Sequence, residues 1–258
     1  MRLGGLLALA LTTCSLASAQ PAPPPWHPWF KAAIRYASHR DGTIAFAVRT
    51  RTRYWHWHAR RTYHSASVIK AMLLVAYLDM PSVRHRALGP GDRELLAPMI
   101  RYSDNDAASR VDTIVGSDRL RALARRAGMR RFTPVDGWWG LSEIDAADQS
   151  RYLFRIDTLT APRHRAYALH LLSSIVPEQR WGIAQVRPHG WRLYFKGGWG
   201  SGSGAVDHQV ALLTRGNERV SVAILTADDD SHEYGKETLR GIAARLLHGL
   251  ASPDSDPR

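Results

Sequence analysis

Apolar residues run almost without interruption from Ala71 through Leu78, directly after His64-Ser65-Ala66-Ser67-Val68-Ile69-Lys70. The run is too short to cross a bilayer and lacks the alternation of a half-buried strand. It therefore predicts a buried helix, with Ser67 at its start. Upstream, residues 29–39 carry the spacing of an amphipathic helix, and residues 42–50 and 53–58 read as two strands joined by a turn. Downstream the pattern is helical over 92–102, 107–115, 117–128, 145–156 and 163–175, with Gly128 and Pro177 as stop signals. Strand patterns return at 191–196, 206–214 and 220–226, with Gly216-Asn217 as the turn between the last two, and a helix over 233–250 closes the chain. The fold class expected from this order is α/β in its α+β form. Five strands form one antiparallel sheet flanked by the N- and C-terminal helices, and an all-helical lobe, about residues 71–185, is inserted between strands. No internal repeat is visible.

The 258 residues suffice for one sizeable core, here a single domain over 29–250. Residues 1–19 have the charged, apolar and small-residue layout of a secretory signal ending at Ala17-Ser18-Ala19. Residues 20–28, with five prolines, form an extended leader, and residues 251–258 a frayed tail. Cleavage after Ala19 removes Cys14, the sole cysteine, so the mature chain is expected outside the cytoplasm, secreted or at the cell surface, without disulfide chemistry. Leu11-Thr12-Thr13-Cys14 faintly resembles a lipoprotein cleavage box, which leaves lipid anchoring at Cys14 as the alternative. No other stretch is long and apolar enough to span a membrane.

Loss of Arg2 with the signal takes the formal charge from +12 to +11. The arginines are spread along the chain and meet no recognition motif, which argues against nucleic-acid binding. Long-range attraction to an anionic cell-wall polymer is the better use of such a charge.

Candidate chemistry starts at Ser67 and Lys70. Three positions apart on a helix they share a face, giving a nucleophile beside a lysine whose burial would make it a base. The helix start adds free N–H groups suited to an oxyanion. Alone, the pair equally reads as an N-cap and a snorkelling lysine. His56, His58 and His64 have no carboxylate or cysteine nearby in sequence and read as structural, so neither a metal nor a cofactor is expected. The glycine-rich 197–204 segment lacks a Gly-Lys-Ser ending and reads as a permissive turn beside a site.

Ser103-Asp104-Asn105 and Lys196-Gly197-Gly198 change the weight of the first pair. Ser-x-x-Lys, Ser-Asp-Asn and Lys-x-Gly in this order resemble the class A beta-lactamases and penicillin-binding peptidases. The likeness extends over nearly the whole mature chain, and two of the four lysines, Lys70 and Lys196, fall in these motifs. The resemblance implies acylation of Ser67 by a small-molecule or peptide acyl substrate, a beta-lactam or a cell-wall peptide, with Lys70 as proton acceptor. Ser103 would relay a proton to the leaving nitrogen, and Asn105 would hold Lys70 and the substrate amide. Lys196 would face Ser103, favour a substrate carboxylate and keep Lys70 neutral by repulsion. Backbone N–H groups of Ser67 and Trp199 would form the oxyanion hole, with Gly197, Gly198 and Ser201 along the substrate. A monomer is expected.

Departures from the family pattern bear on function. The glutamate that activates water for deacylation has no counterpart; the local likeness at Val135-Asp136-Gly137-Trp138-Trp139 puts Trp139 in its place. Glu143 reads as an early helix-turn residue, and Asp136 or Lys70 are the alternative water activators. The Ser67 to Ser103 interval is shorter than usual, trimming one wall of the cleft. Gly197 stands where the family has a hydroxyl, weakening carboxylate recognition unless Ser201 or Ser203 compensates. The expectation is a serine acyl-hydrolase with a persistent acyl-enzyme. A beta-lactamase with an atypical base and a non-catalytic wall-binding protein on the same fold are the alternatives.

Overall fold

The computed structural model describes residues 26–250. The expected signal, most of the leader and the tail lie outside the described residues. Helix α1 (Phe30–Ala37) leads to β1 (Thr43–Arg49), β2 (Tyr54–Trp57) and the two-residue β3 (Tyr63–His64). A 3₁₀ turn, Ala66–Ile69, runs directly into α2 (Lys70–Leu78). The lobe continues with α3 (Pro90–Arg101), α4 (Asn105–Ala127), the short β4 (Glu143–Ile144), α5 (Ala146–Phe154), α6 (Ile156–Leu159) and α7 (Arg165–Ser173). β5 (Arg192–Gly200), β6 (Val206–Arg215), β7 (Glu218–Ala227) and α8 (His232–Leu246) complete it.

The five long strands form one antiparallel sheet in the order β2-β1-β7-β6-β5, so β5 is an edge. Both faces are covered, and the apolar strands therefore alternate in size and not in polarity. Ile44, Phe46 and Val48 of β1, with Val222 and Ile224 of β7, pack on α1 and α8. The smaller Ala45, Ala47 and Ala223 face the helical lobe, which lets α5 approach closely. Ser221 donates to the Ser150 carbonyl of α5 across that face, 2.6 Å.

Most predicted elements are present with shifted ends. The break between the helices expected at 107–115 and 117–128 falls at Gly116, whose φ of 71° and ψ of 156° interrupt α4. Three features differ from expectation. Ser67 sits in the 3₁₀ turn rather than in the α-helix proper. Gly197 through Gly200 continue β5 instead of turning, and the turn is confined to Ser201–Ser203 and Gly204. The glycines serve close packing: a Cβ on Gly198 would lie 2.8 Å from the amide nitrogens of both Ser67 and Val68. Glu143 is paired with His64 in the β3–β4 ribbon and precedes the Asp145 cap of α5, so it is not a helix-turn residue.

Candidate active site

Backbone geometry sets Ser67, the candidate nucleophile. Ala66, immediately before Ser67, holds φ at 42°, and Ser103 holds φ at 57°. Such left-handed conformations cost non-glycine residues about 1–3 kcal/mol each and persist only where surroundings enforce them. At Ala66 the enforcement is visible: Ser65 N–H donates to Ser142 O (2.8 Å), Ser65 Oγ to Trp139 O (3.0 Å), and Gly198 presses from the other side.

Lys70 and Lys196 come from α2 and β5, and both are fully buried. Lys70 Nζ donates to Asn105 Oδ1 (2.8 Å), Ser103 O (2.6 Å) and Ser103 Oγ (3.3 Å). Lys196 Nζ donates to the same Ser103 Oγ (3.0 Å) and to Gly197 O (2.7 Å). One hydroxyl thus bridges two buried amines. The N-cap carboxylate of α4, Asp104, accepts from Ala107 N–H at 2.7 Å, which turns Ser103 and Asn105 inward at the helix start. Ser67 retains 9 % exposure, while both amines are fully buried. Among the described residues no hydrogen bond joins Ser67 Oγ to Lys70 Nζ; the amine is drawn to Ser103 and Asn105 instead.

Burial pushes the Lys70 ammonium down to about 7, opposed by the attraction of Asp104. Burial likewise depresses Lys196, with repulsion from Lys70 adding to it. Repulsion by Lys196 was expected to keep Lys70 neutral; burial is what lowers Lys70, and the repulsion falls on Lys196 instead. A neutral Lys70 is the form that accepts a proton, so acylation of Ser67 is expected to rise with pH and to be half-maximal near 7. Stopped-flow acylation between pH 5 and 9 measures this, and a flat profile would remove Lys70 from the role.

Trp139, which the resemblance sets in place of the missing glutamate, packs against Lys70. Its ring centroid is 4.7 Å from Lys70 Nζ, and its Nε1 donates to Ser109 Oγ at 3.1 Å. Asp136, the alternative water activator, instead accepts from Ser117 on α4. With Ser109, Gly202 and Ser203, Trp138 and Trp139 line a cleft of about 360 Å³. Ser201 lines a different cavity, of about 320 Å³, beyond Trp199. A larger one, about 780 Å³, lies between α1 and α8 on the opposite sheet face and holds none of the candidate catalytic groups. Gly197 faces that opposite side: a Cβ there would meet the Trp181 ring at 3.2 Å, leaving no room for a hydroxyl.

Sequence reasoning missed His208, which is fully buried on β6. Its Nδ1 accepts from Thr226 N–H (3.2 Å), so Nε2 carries the proton and donates to His64 O (2.9 Å). Burial lowers it to about 4, keeping the ring neutral while it ties β6 to the strand leading into Ser67. No sequence motif marks it.

Comparison with known proteins agrees with this geometry. A profile of the "Beta-lactamase enzyme family" matches residues 92–250, a span that includes Ser103, Asn105 and Lys196 but begins after Ser67. No curated protein sequence matches. Among solved structures, the beta-lactamase of Sphaerobacter thermophilus superposes with a TM-score of 0.73 at 18 % identity, over 86 % of this chain and 97 % of that one. A class A beta-lactamase from Mycobacterium abscessus gives 0.71 at 17 % identity, over 86 % and 99 %. The structure titled PBP-A gives 0.69 at 17 % identity, over 88 % and 98 %. At such identities the likeness establishes the fold, and the family follows from the profile match together with it: this chain belongs to the beta-lactamase enzyme family.

Proposed function

We propose that this chain is an extracytoplasmic serine acyl-hydrolase whose acyl-enzyme at Ser67 is long-lived, with cell-wall peptides as the natural substrate class. The Ser67 hydroxyl attacks a carbonyl while its proton passes to neutral Lys70. The resulting oxyanion is held by the N–H groups of Ser67 and Trp199. As the C–N bond breaks, the Ser103 hydroxyl gives its proton to the leaving nitrogen and recovers one from the Lys70 ammonium, 3.3 Å away. Lys196, 3.0 Å from the same oxygen, stabilises charge on Ser103 during this relay. The observation that carries the reading is the bridging of two buried amines by Ser103, an arrangement with large desolvation cost and no use in a passive binder. Persistence of the ester follows from the indole against Lys70 where a carboxylate would be needed to activate water. Intact-mass spectrometry of the protein mixed with a penicillin tests both halves. A lasting one-to-one adduct on the wild type and none on Ser67→Ala is expected. A transient adduct with rapid turnover would make the protein a beta-lactamase, and no adduct with any acyl compound would favour the binding role.

A further inference from the structure

The cavity of about 320 Å³ beyond Trp199 adjoins the end of β5 at Trp199, Gly200 and Ser201, just past Lys196-Gly197-Gly198, and its wall has an unexpected charge for a protein of formal net charge +12. Asp207 of β6 and Asp229 and Asp230 of the β7–α8 loop line it, together with His232, Ser201 and Trp199. No arginine or lysine contributes to that lining. Asp229 is only 6 % exposed, and its Oδ1 is a buried oxygen with no hydrogen-bond partner in the wall of the cavity. The Trp199 indole and the His232 imidazole stack at 5.5 Å and 23°, giving the same wall an aromatic face.

Thr226 Oγ1 accepts from Asp207 N–H (3.1 Å) and lies 2.6 Å from Asp207 O, and it is also bonded to Asp229 Oδ2. A hydroxyl has one proton to donate, so both remaining contacts are favourable only if Asp229 itself carries a proton. His232 Nδ1 is bonded to Asp207 Oδ1 at 2.7 Å. Burial lifts Asp207 to about 8 and Asp229 to about 6, with Lys236 and Arg40 opposing and Asp228 adding to the rise. The nearby Lys236 is itself paired with Glu233. The wall therefore favours protonated carboxyls, whose protons an entering cation would displace.

Resting on the acyl-hydrolase reading for the word substrate, we infer that the subsite beyond Trp199 accepts an ammonium group and rejects a carboxylate. The acyl substrate then carries a primary amine, from a basic side chain or a free amino terminus, on the part lying along Trp199 to Ser201. Two observations converge on this: the buried unpaired Asp229 oxygen and the indole–imidazole face suited to a cation. A carboxylate there would face Asp207, Asp229 and Asp230, with no arginine or lysine in the lining to attract it.

Calorimetry on the Ser67→Ala protein at pH 7, with cadaverine and glutarate as probes, tests the inference without any acylation. Cadaverine is expected to bind with release of protons, read from the dependence of the heat on the buffer's ionisation enthalpy. Its affinity is expected to fall at least about tenfold in Asp207→Asn and in Asp229→Asn, one lost charge-assisted contact. Glutarate is expected to give no heat. Equal or tighter binding of glutarate, no binding of cadaverine, or unchanged cadaverine affinity in the carboxamide variants would overturn the inference. Should Asp229→Asn fail to fold, exposed Asp230→Asn carries the same comparison. Failure of the acyl-enzyme reading is separate: it appears as absence of a Ser67 adduct, whatever the diamine does.

Discussion

Lys70→Arg is expected to slow acylation of Ser67 by about 10²–10⁴-fold, the usual contribution of a positioned proton acceptor. Arginine keeps the positive charge beside Asn105 and Ser103 but cannot be deprotonated in a protein. The substitution thus separates two roles that a neutral replacement would remove together. Rapid-quench measurement of adduct formation with a penicillin reads the effect, and thermal melting confirms that the buried pocket tolerates the guanidinium. Acylation within a few-fold of wild type would mean that Lys70 acts as a fixed cation and that another group takes the proton. The buried setting makes that outcome unexpected: Lys70 has no solvent exposure, and its ammonium is displaced down to about 7.

Trp139→Glu is expected to shorten the life of the acyl-enzyme by up to about 10²–10⁴-fold, because it supplies a general base where none stands. The indole fills the space between Ser109 and Lys70. Glutamate is much smaller, and the volume released is enough for at least one water, which needs about 30 Å³ and polar partners. Lys70, Asn105 and the new carboxylate would supply those partners. The substitution carries an internal control. A carboxylate near Lys70 stabilises its ammonium, so the pH midpoint of acylation should move upward from near 7. A raised midpoint with unchanged adduct lifetime would show the carboxylate in place but unable to reach the water, and would locate slow deacylation elsewhere.

Much of the architecture was legible because strands buried on both faces and all-round apolar helices announce themselves as runs. β1, β6, β7 and α2 are of this kind, and Gly128 marked the end of α4. The β3–β4 ribbon was not, since two-residue strands leave no periodicity to read. That ribbon is what brings Trp139 over Lys70, so the contact that governs the deacylation argument had no local signal. Gly197 and Gly198 misled for a related reason. Their neighbours, Trp181 on one side and the Ser67 amide on the other, are distant in sequence, and a close approach looks like a turn until those neighbours are known. Convergence of Lys70, Ser103, Asn105 and Lys196 was expected from the motifs jointly. The Asp207–Asp229 wall was not, because β6 and the end of β7 meet only through the sheet register that sets Asp207 opposite Thr226.

Both ends of the described chain are clasped on one side of the sheet. Trp26 Nε1 donates to His248 O and Trp191 Nε1 to Leu250 O, each at 2.8 Å, while Trp26 and Leu250 pack with α1 and α8. Ser67 and the two amines lie across the sheet on the lobe side. A surface, bead or fused protein attached through residue 26 or residue 250 therefore hangs from the back of the molecule. Immobilised in either orientation, the protein should keep its mouth open to long polymeric chains that could never reach it were the tether on the front.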